Sequence, residues 1–359
     1  MGTSTSLKTG RRLLEESGLA SSHEPVDSTL VGLLLEQHFH IGGQLERLAT
    51  EKDDSFILRA EAGSYLVKVS PPSEPEMVVA LQTAVMRFLQ DTAPELPIQR
   101  VVLTPDGDDN VVLESDDGRT RVLRVFDFVD GAVLARTSPD ATQLAKVGEV
   151  LGRIDLALKG FHHPAARRGL IWDTQHFHHL TGLLAHTTNA EHRQLAREVF
   201  RLFDDAIVPR LDDLETQVIH GDYSPHNVVV DPQGDDFVAA VIDFGDTVHS
   251  AVICDPAVAM ANLLGREPGQ PWRDACAFMV GYERARPIRD SELALLPVAA
   301  LARLTLRALI TNWRAVLVPE RRDYLLDHAR DDWVNVERAL AVPLDDVVAL
   351  LRSGREGGI

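Results

Sequence analysis

Hydrophobic and polar residues alternate in short runs along the first third of the chain. Two apolar, β-prone runs at residues 55–59 and 65–69 flank Ala62-Gly63-Ser64, a pattern that predicts a β-hairpin. Apolar residues at helical spacing follow over residues 77–89. Further β-prone runs lie at residues 101–103, 110–114 and 121–128. We therefore expect a small lobe that combines a sheet with one helix.

After residue 131 the apolar spacing becomes mostly helical. The amphipathic stretches are residues 140–158, 190–211, 272–285 and 293–316. A single clear β insertion is expected at residues 227–243, where two apolar runs flank a turn-rich segment. The predicted fold class is α+β with two lobes: an N-terminal extension at 1–40, a β-rich lobe at 41–130 and a larger, mostly helical lobe at 131–359.

Composition narrows the classes of partner. The chain has 54 acidic and 36 Lys or Arg residues, a net charge of −18, which argues against binding a nucleic-acid backbone and favours cationic small molecules. With only two cysteines, no disulfide framework is expected, which suits a cytoplasmic setting. No apolar run reaches 18 residues, so we expect no membrane span.

One segment carries candidate chemistry. His220-Gly221-Asp222 precedes the strand that opens at Asn227, and the partner strand ends at Asp243-Phe244-Gly245. Residues equidistant from a hairpin turn face each other, so Asn227 and Asp243 are expected at the same open end, within reach of Asp222. An amide oxygen and a carboxylate suit Mg²⁺ that bridges phosphate oxygens, and a nearby carboxylate can accept a proton from an attacking hydroxyl. The alternative is that these residues only cap turns.

These motifs resemble the catalytic and metal-binding loops of the aminoglycoside phosphotransferase and choline kinase superfamily, which has a two-lobed, protein-kinase-like fold. Residues 161–166, Trp172-Asp173 and residues 254–257 are similar to the branch that contains hydroxylysine kinases and phosphotransferase domains fused to class III aminotransferases. The resemblance covers about residues 40–315. It implies a Mg²⁺-dependent kinase that transfers the γ-phosphate of ATP or GTP to a hydroxyl of an amine-bearing metabolite or aminoglycoside.

The resemblance also implies a role for each matching residue. Asp222 would be the catalytic base, and Asn227 and Asp243 would hold Mg²⁺. His220 would brace the catalytic loop. Lys68, in an apolar strand, would reach the nucleotide phosphates; without the resemblance, a lysine there is more typical of an edge or solvent-facing position.

The partner of Lys68 departs from the family pattern. The family commonly pairs this lysine with a helix glutamate, but Ala80 stands at the expected position. Glu76, one turn earlier, or Gln82 is the candidate substitute. Either could equally be an ordinary residue of the helix surface.

Two further stretches are candidates for nucleotide contacts. The phosphate-covering loop at residues 49–56 has no glycine, so Ser55 and backbone N–H groups would serve there. Asp53 and Asp54 would repel phosphate if they faced inward. Asp127-Phe128-Val129, where the lobes join, would present backbone groups to the purine.

The acceptor site is predicted from charge and position. Asp246 and Asp173 are candidate ammonium partners, with helix capping or surface exposure as the alternative for each. Arg303 lies on a late amphipathic helix that would floor the cleft. Asp255 matches a family residue that fixes the catalytic loop, although Asp255-Pro256 also fits a simple helix start.

Two other functions remain open at this stage. A protein kinase usually has arginine where Gly221 stands, and Asp255 follows Asp243 too closely for a typical activation segment. A non-catalytic nucleotide-binding module is the second alternative. This module would have lost catalytic activity, but Lys68, Asp222 and Asn227 are all present, which argues against that alternative.

Overall fold

An antiparallel sheet and one long helix form the N-terminal lobe. The structure, a computed structural model, describes residues 2–17, 19, 23–50, 52–114 and 119–357. The strand order is β1-β2-β3-β6-β4, with β5 also paired to β6. In chain order the elements are α1 (Gly2–Glu16), α2 (Ser28–Leu34), β1 (Gly43–Leu48), β2 (Asp54–Ala60), β3 (Gly63–Val69), α3 (Glu76–Thr92), β4 (Val101–Val102), β5 (Val111–Glu114) and β6 (Thr120–Asp127).

The predicted hairpin is β2–β3, and its register sorts side chains onto two faces. Phe56 pairs with Val67, and both are fully buried in the lobe's core. Ser55 pairs with Lys68 on the opposite face, because side chains alternate along a strand. The apolar face is covered by α2, whose start is capped by Asp27 accepting from the Thr29 N–H.

The C-terminal lobe is mostly helical, as predicted, but it contains more strands than one insertion. A sheet in the order β10-β9-β7 and a two-stranded pair β11-β8 are both antiparallel. The elements are β7 (Ala132–Val133), α4 (Ala141–Ala157), α5 (Ala190–Ala206), β8 (Thr216–Ile219), β9 (Val228–Val230), β10 (Val238–Val241), β11 (Val248–Ala251), α6 (Cys254–Leu263), α7 (Arg273–Ala285), α8 (Asp290–Leu293), α9 (Leu296–Leu317), α10 (Arg322–Leu340) and α11 (Leu344–Gly357).

Helix α9 forms the centre of this lobe. Among the described residues, the stretch Asp290–Leu317 is the one with the length and apolar composition to cross a membrane. Its most apolar 18-residue window is 89% buried inside the protein, which is the position of a core helix. Its polar exceptions include Arg303, which lies below the cleft.

The N-terminal extension divides between the two lobes. Helix α1 packs on residues 174–186 of the helical lobe, and Ser6 Oγ lies 2.9 Å from His179 Nδ1. Leu13 joins the core of that lobe. By contrast, α2 belongs to the core of the sheet. The predicted extension at 1–40 is therefore not a separate unit.

Candidate active site

The hairpin β9–β10 carries the residues predicted to bind metal. Asn227 and Asp243 lie at its open end, but they do not face each other as the turn midpoint predicted. The register shifts between Val238 and Ala240, so the backbone of Asn227 instead bonds Ile242, whose N–H donates to Asn227 O at 2.9 Å. Asp243 follows one residue beyond.

The predicted catalytic loop, residues 220–227, follows β8 and at Gly221 passes very close to another segment of backbone. Gly221 has φ +81°, and a Cβ there would lie 2.3 Å from Asp246 O. Glycine is required at this position because the left-handed conformation and the contact both exclude a side chain. The pairing of β8 with β11 therefore brings Asp222 beside the metal loop, residues 243–246.

His220 and Asp255 brace the catalytic loop from behind. The His220 ring is fully buried; its Nδ1 accepts from the Asp222 N–H, and its Nε2 lies 3.3 Å from Ile242 O. Asp255 accepts the backbone N–H groups of His220 and Gly221 at 2.8 and 2.9 Å. Asp255 is not a helix cap, because α6 begins at Cys254 with Ile253 as its N-cap. Both residues position the loop.

A second carboxyl group lies behind Asp255. Asp155 accepts from the Tyr282 hydroxyl at 2.6 Å and is fully buried. Burial raises the pKa of Asp155 well above its usual range, and the neighbouring Asp255 raises it further. Burial also raises the pKa of Asp255, whereas His220 and the two loop N–H groups that donate to it lower that pKa.

Lys68 and Asp243 meet across the cleft between the lobes. Lys68 Nζ lies 3.1 Å from Asp243 Oδ1, and this cation holds the pKa of Asp243 below its usual range. Asn227 donates its amide N–H groups to the backbone oxygen and Oδ2 of Asp222, at 2.9 and 2.8 Å. That orientation leaves the Asn227 amide oxygen for another partner.

This donor set fits a divalent ion completed by phosphate oxygens. Mg²⁺ is commonly held by one or two protein oxygen ligands together with substrate phosphates. The described residues contain no group of three or more His, Cys, Asp or Glu side chains that could hold a metal. Asp243, ionised and half exposed, and the Asn227 amide oxygen would be the protein ligands.

Neither predicted substitute for a helix acid contacts Lys68. Glu76 is exposed on the first turn of α3, on the outside of the lobe. Gln82 is buried, but it accepts from Arg124 Nη1 at 2.8 Å and donates to Gly245 O at 3.2 Å. Glu76 therefore does not replace the helix acid as the partner of Lys68, and its role in binding the nucleotide stays a prediction.

The acidic residues of the phosphate-covering loop are neutralised by arginines. Asp53 pairs with Arg124 at 3.3 Å, and Asp54 accepts from Arg47 and Arg121. Ser55 is buried, and its Oγ has no hydrogen-bond partner in the described part of the chain. Glu51 of the same predicted loop lies outside the described residues.

The segment that joins the lobes uses most of its polar groups internally. The Asp127 N–H donates to Arg100 O, and its carboxylate accepts from the Arg100 N–H at 2.6 Å. The Phe128 N–H donates to Ser64 O. Neither N–H is available to a purine, so of the three predicted residues only Val129 is left as a backbone donor.

Opposite charges meet at the end of the cleft that was predicted to bind the acceptor. Arg303, 7% exposed, donates from Nη2 to Asp222 Oδ1 at 3.3 Å, and its guanidinium lies 5.0 Å from the centre of the Trp172 ring. Its Nε and Nη1 have no hydrogen-bond partner among the described residues. Burial and the nearby Asp222 raise the pKa of Asp246 to about 6.

Asp173 is buried and uses its carboxylate within the protein. Its carboxylate is buried; it accepts from Ser250 Oγ at 2.6 Å and caps the short helix Thr174–His179 through the Gln175 N–H. The prediction that Asp173 binds an ammonium group is therefore wrong. Asp173 instead caps a helix, which was the alternative expected from the sequence.

Two arginines of the site were missed from the sequence. Arg168 donates to Gly245 O at 2.7 Å and Thr247 O at 3.1 Å, and Arg124 is buried beside Lys68. Arg124 is a charged residue within an apolar strand, a pattern that by itself is more typical of an edge or solvent-facing position, and no resemblance singled it out as it did Lys68. Arg168 lies in an irregular segment whose sequence gives no comparable signal.

Comparison with known proteins agrees with this architecture. A model of the phosphotransferase enzyme family matches residues 45–289, more than half of the chain. Hydroxylysine kinase of Mus musculus is 23% identical over 319 residues, covering 82% of this chain and 84% of that protein.

Solved structures share the fold. A microcompartment-associated aminopropanol kinase has a TM-score of 0.70 at 18% identity and covers 90% of this chain and all of its own. Amicoumacin kinase hAmiN, in complex with AMP-PNP, Ca²⁺ and Ami, has a TM-score of 0.67 at 16% identity, covering 90% of this chain and 97% of its own. The predicted resemblance and two-lobed fold are confirmed, and this chain belongs to the phosphotransferase enzyme family, as a small-molecule kinase.

Proposed function

We propose that this protein is a Mg²⁺-dependent kinase that transfers the γ-phosphate of ATP or GTP to a hydroxyl of a small, amine-bearing acceptor. The observation that carries the proposal is the convergence of three groups at the cleft: Asp222, Asn227 and the Lys68–Asp243 pair. A base, a hard-ion site and a phosphate-binding cation are the parts that phosphoryl transfer requires.

The roles follow from the contacts of each residue. Asp222 takes the proton of the acceptor hydroxyl as its oxygen attacks the γ-phosphorus, and the bond from that phosphorus to the leaving diphosphate breaks. Asn227 and Asp243 would hold Mg²⁺, which would neutralise phosphate charge. Lys68 supplies a further cation at the same place.

The acceptor end suits a molecule with both an amine and a carboxylate. The Asp222 and Asp246 carboxylates favour an ammonium group, while Arg303 has unpaired N–H groups among the described residues. A hydroxy amino acid carries the amine, the carboxylate and the hydroxyl that would accept the phosphate. The similarity to hydroxylysine kinase supports this class as the first to test.

The short link after the metal loop disfavours a protein substrate. Strand β11 begins at Val248, five residues after Asp243, and pairs with β8. That spacing leaves no room for a long activation segment, where a protein kinase binds its peptide.

The test is a nucleotide-consumption screen with purified protein, Mg²⁺ and either ATP or GTP. The acceptors are 5-hydroxylysine, homoserine, 1-amino-2-propanol, choline and an aminoglycoside, with 4-hydroxybutyrate as the homoserine analogue that lacks an amine. We expect consumption with an amino alcohol and none with 4-hydroxybutyrate. Preference for 4-hydroxybutyrate would contradict the acceptor class, and binding of nucleotide without any consumption would favour a regulatory module.

A further inference from the structure

A row of polar residues crosses the N-terminal sheet on the face that points to α3. Ser55 on β2, Lys68 on β3 and Arg124 on β6 are register partners, so their side chains lie on the same face. Lys68 reaches Asp243, whereas Arg124 is only 2% exposed. The site therefore contains a second cation, buried beside the lysine.

Arg124 is held by two partners of different character. Its Nη1 donates to Gln82 Oε1 at 2.8 Å, and its Nη2 lies 3.3 Å from Asp53 Oδ2. A buried guanidinium is costly unless it is paired, so one carboxylate partner is needed for its charge. Asp53 supplies it from the loop that covers the nucleotide phosphates.

These contacts continue into a closed polar ring between the lobes. Gln82 and Arg168 both donate to Gly245 O, at 3.2 and 2.7 Å. Arg168 lies 3.6 Å from Glu74, and Glu74 pairs with Lys52, the neighbour of Asp53. The ring thus joins the phosphate-covering loop, α3, the metal loop and the acceptor side of the cleft.

The negative charge of Asp53 would affect nucleotide binding if the ring did not neutralise it. Asp53 immediately precedes β2. Ser55, two residues further along the chain, is the register partner of Lys68. An unpaired carboxylate at this place would repel a triphosphate, since like charges a few ångströms apart are poorly screened in a closed cleft.

We propose that Arg124 is a positioning residue for the nucleotide. It neutralises Asp53 beside the phosphate subsite, and through Gln82 it holds the Gly245 end of the metal loop. It does not touch the reacting atoms. This inference rests on the proposed nucleotide-dependent function.

A rescue experiment tests the electrostatic part directly. The dissociation constant of ATP with Mg²⁺ is measured by calorimetry without acceptor. Arg124→Met is expected to weaken binding about tenfold, and adding Asp53→Asn is expected to restore it to within about threefold of wild type. Glu114→Gln, another acid-to-amide change in the same sheet, is the matched control and should not rescue Arg124→Met.

A single variant keeps the test valid if Arg124→Met does not fold. Asp53→Asn alone leaves Arg124 uncompensated, so it should tighten ATP binding about threefold, whereas Glu114→Gln alone should not change it. Absence of rescue by Asp53→Asn, or unchanged or weaker ATP binding by the Asp53→Asn single variant, would overturn the inference. Failure of the wild-type protein to bind ATP would instead contradict the proposed function itself.

Discussion

Two residues beside the reacting end adopt the left-handed backbone conformation, Gly221 with φ +81° and Asp243 with φ +60°. This conformation is unfavourable for most residues with a side chain, although aspartate tolerates it better than most. Each residue stands where one loop turns toward the other. Strain at Asp243 is balanced by Lys68 and by the Gly245 N–H, which both contact its carboxylate.

Gly221→Ala tests the close approach of the two loops. The new Cβ would lie 2.3 Å from Asp246 O, so the catalytic loop must shift, and we expect turnover to fall by roughly 100-fold. Gly160→Ala is the matched control, because Gly160 also has positive φ but no atom within 4 Å of its added Cβ. Both variants should lose about 1–2 kcal/mol of unfolding free energy from backbone strain. Equal turnover in the two variants would refute the contact.

Asp246→Asn separates stability from acceptor binding. The folded protein raises the pKa of Asp246 to about 6 from an ordinary value of 3.8, so the ionised carboxylate destabilises the free protein at neutral pH. We expect the variant to have a higher Tm than wild type at pH 7.5. The difference should shrink below pH 6 and vanish near pH 4, while the KM for an amine-bearing acceptor rises. A constant Tm difference from pH 7.5 to 4 would contradict this pKa.

At the scale of elements, helix α1 supports the side of the cleft where we propose that the acceptor binds. It packs on residues 174–186, and Leu13 lies against Gly169, next to Arg168. Arg168 in turn bonds the metal loop through Gly245. The N-terminal helix therefore supports the segment that carries Arg168, on the side of the cleft where we propose that the acceptor binds.

Gly10→Ala tests this support, because its Cβ would lie 2.1 Å from His179 O and push α1 away. The expected result is a KM for the acceptor about fivefold higher, with the KM for the nucleotide unchanged, since α1 packs on residues 174–186 of the helical lobe. Gly182→Ala, with no atom within 4 Å of its added Cβ, is the control on the same wall. A parallel rise in both KM values would indicate general loss of folding instead.

The elements with strong patterns were predictable, and those set by tertiary contacts were not. The hairpin β2–β3 and the location of Asn227 and Asp243 at one end of β9–β10 follow from alternation and turn residues, but the exact pairing of Asn227, with Ile242, does not. Strands β8 and β11 are only four residues long, and their pairing depends on the loops between them. The bulge near Ala240 and the contacts of Gln82 also leave no local pattern, because each depends on a distant partner.

For the whole molecule, the charge of −18 acts on association more than on the fold. Buried ion pairs, such as Arg121 with Asp54, neutralise acids locally, and the remaining acidic excess gives the whole molecule a net negative field. This field should attract a cationic acceptor and slow an anionic one.

The dependence of kcat/KM on salt measures this field. For an amine-bearing acceptor without a carboxylate, such as 1-amino-2-propanol, kcat/KM should fall as ionic strength rises from about 0.01 to 0.15 M, because the Debye length shortens from about 30 to 8 Å. A neutral diol of similar size is the control and should show little change. Equal slopes for the two acceptors would show that the acidic excess does not steer the substrate.

The most direct measurement of the central claim compares wild type with Asp222→Asn by ³¹P NMR of the reaction with ATP, Mg²⁺ and the best acceptor from the screen. The substitution is nearly isosteric but removes the proton acceptor that Asn227 and Arg303 hold in place. With wild type we predict a growing phosphomonoester signal from the phosphorylated acceptor. With Asp222→Asn, which should still bind ATP, we predict that this signal grows at least about 100-fold more slowly. Product formation by Asp222→Asn at the wild-type rate would contradict the account.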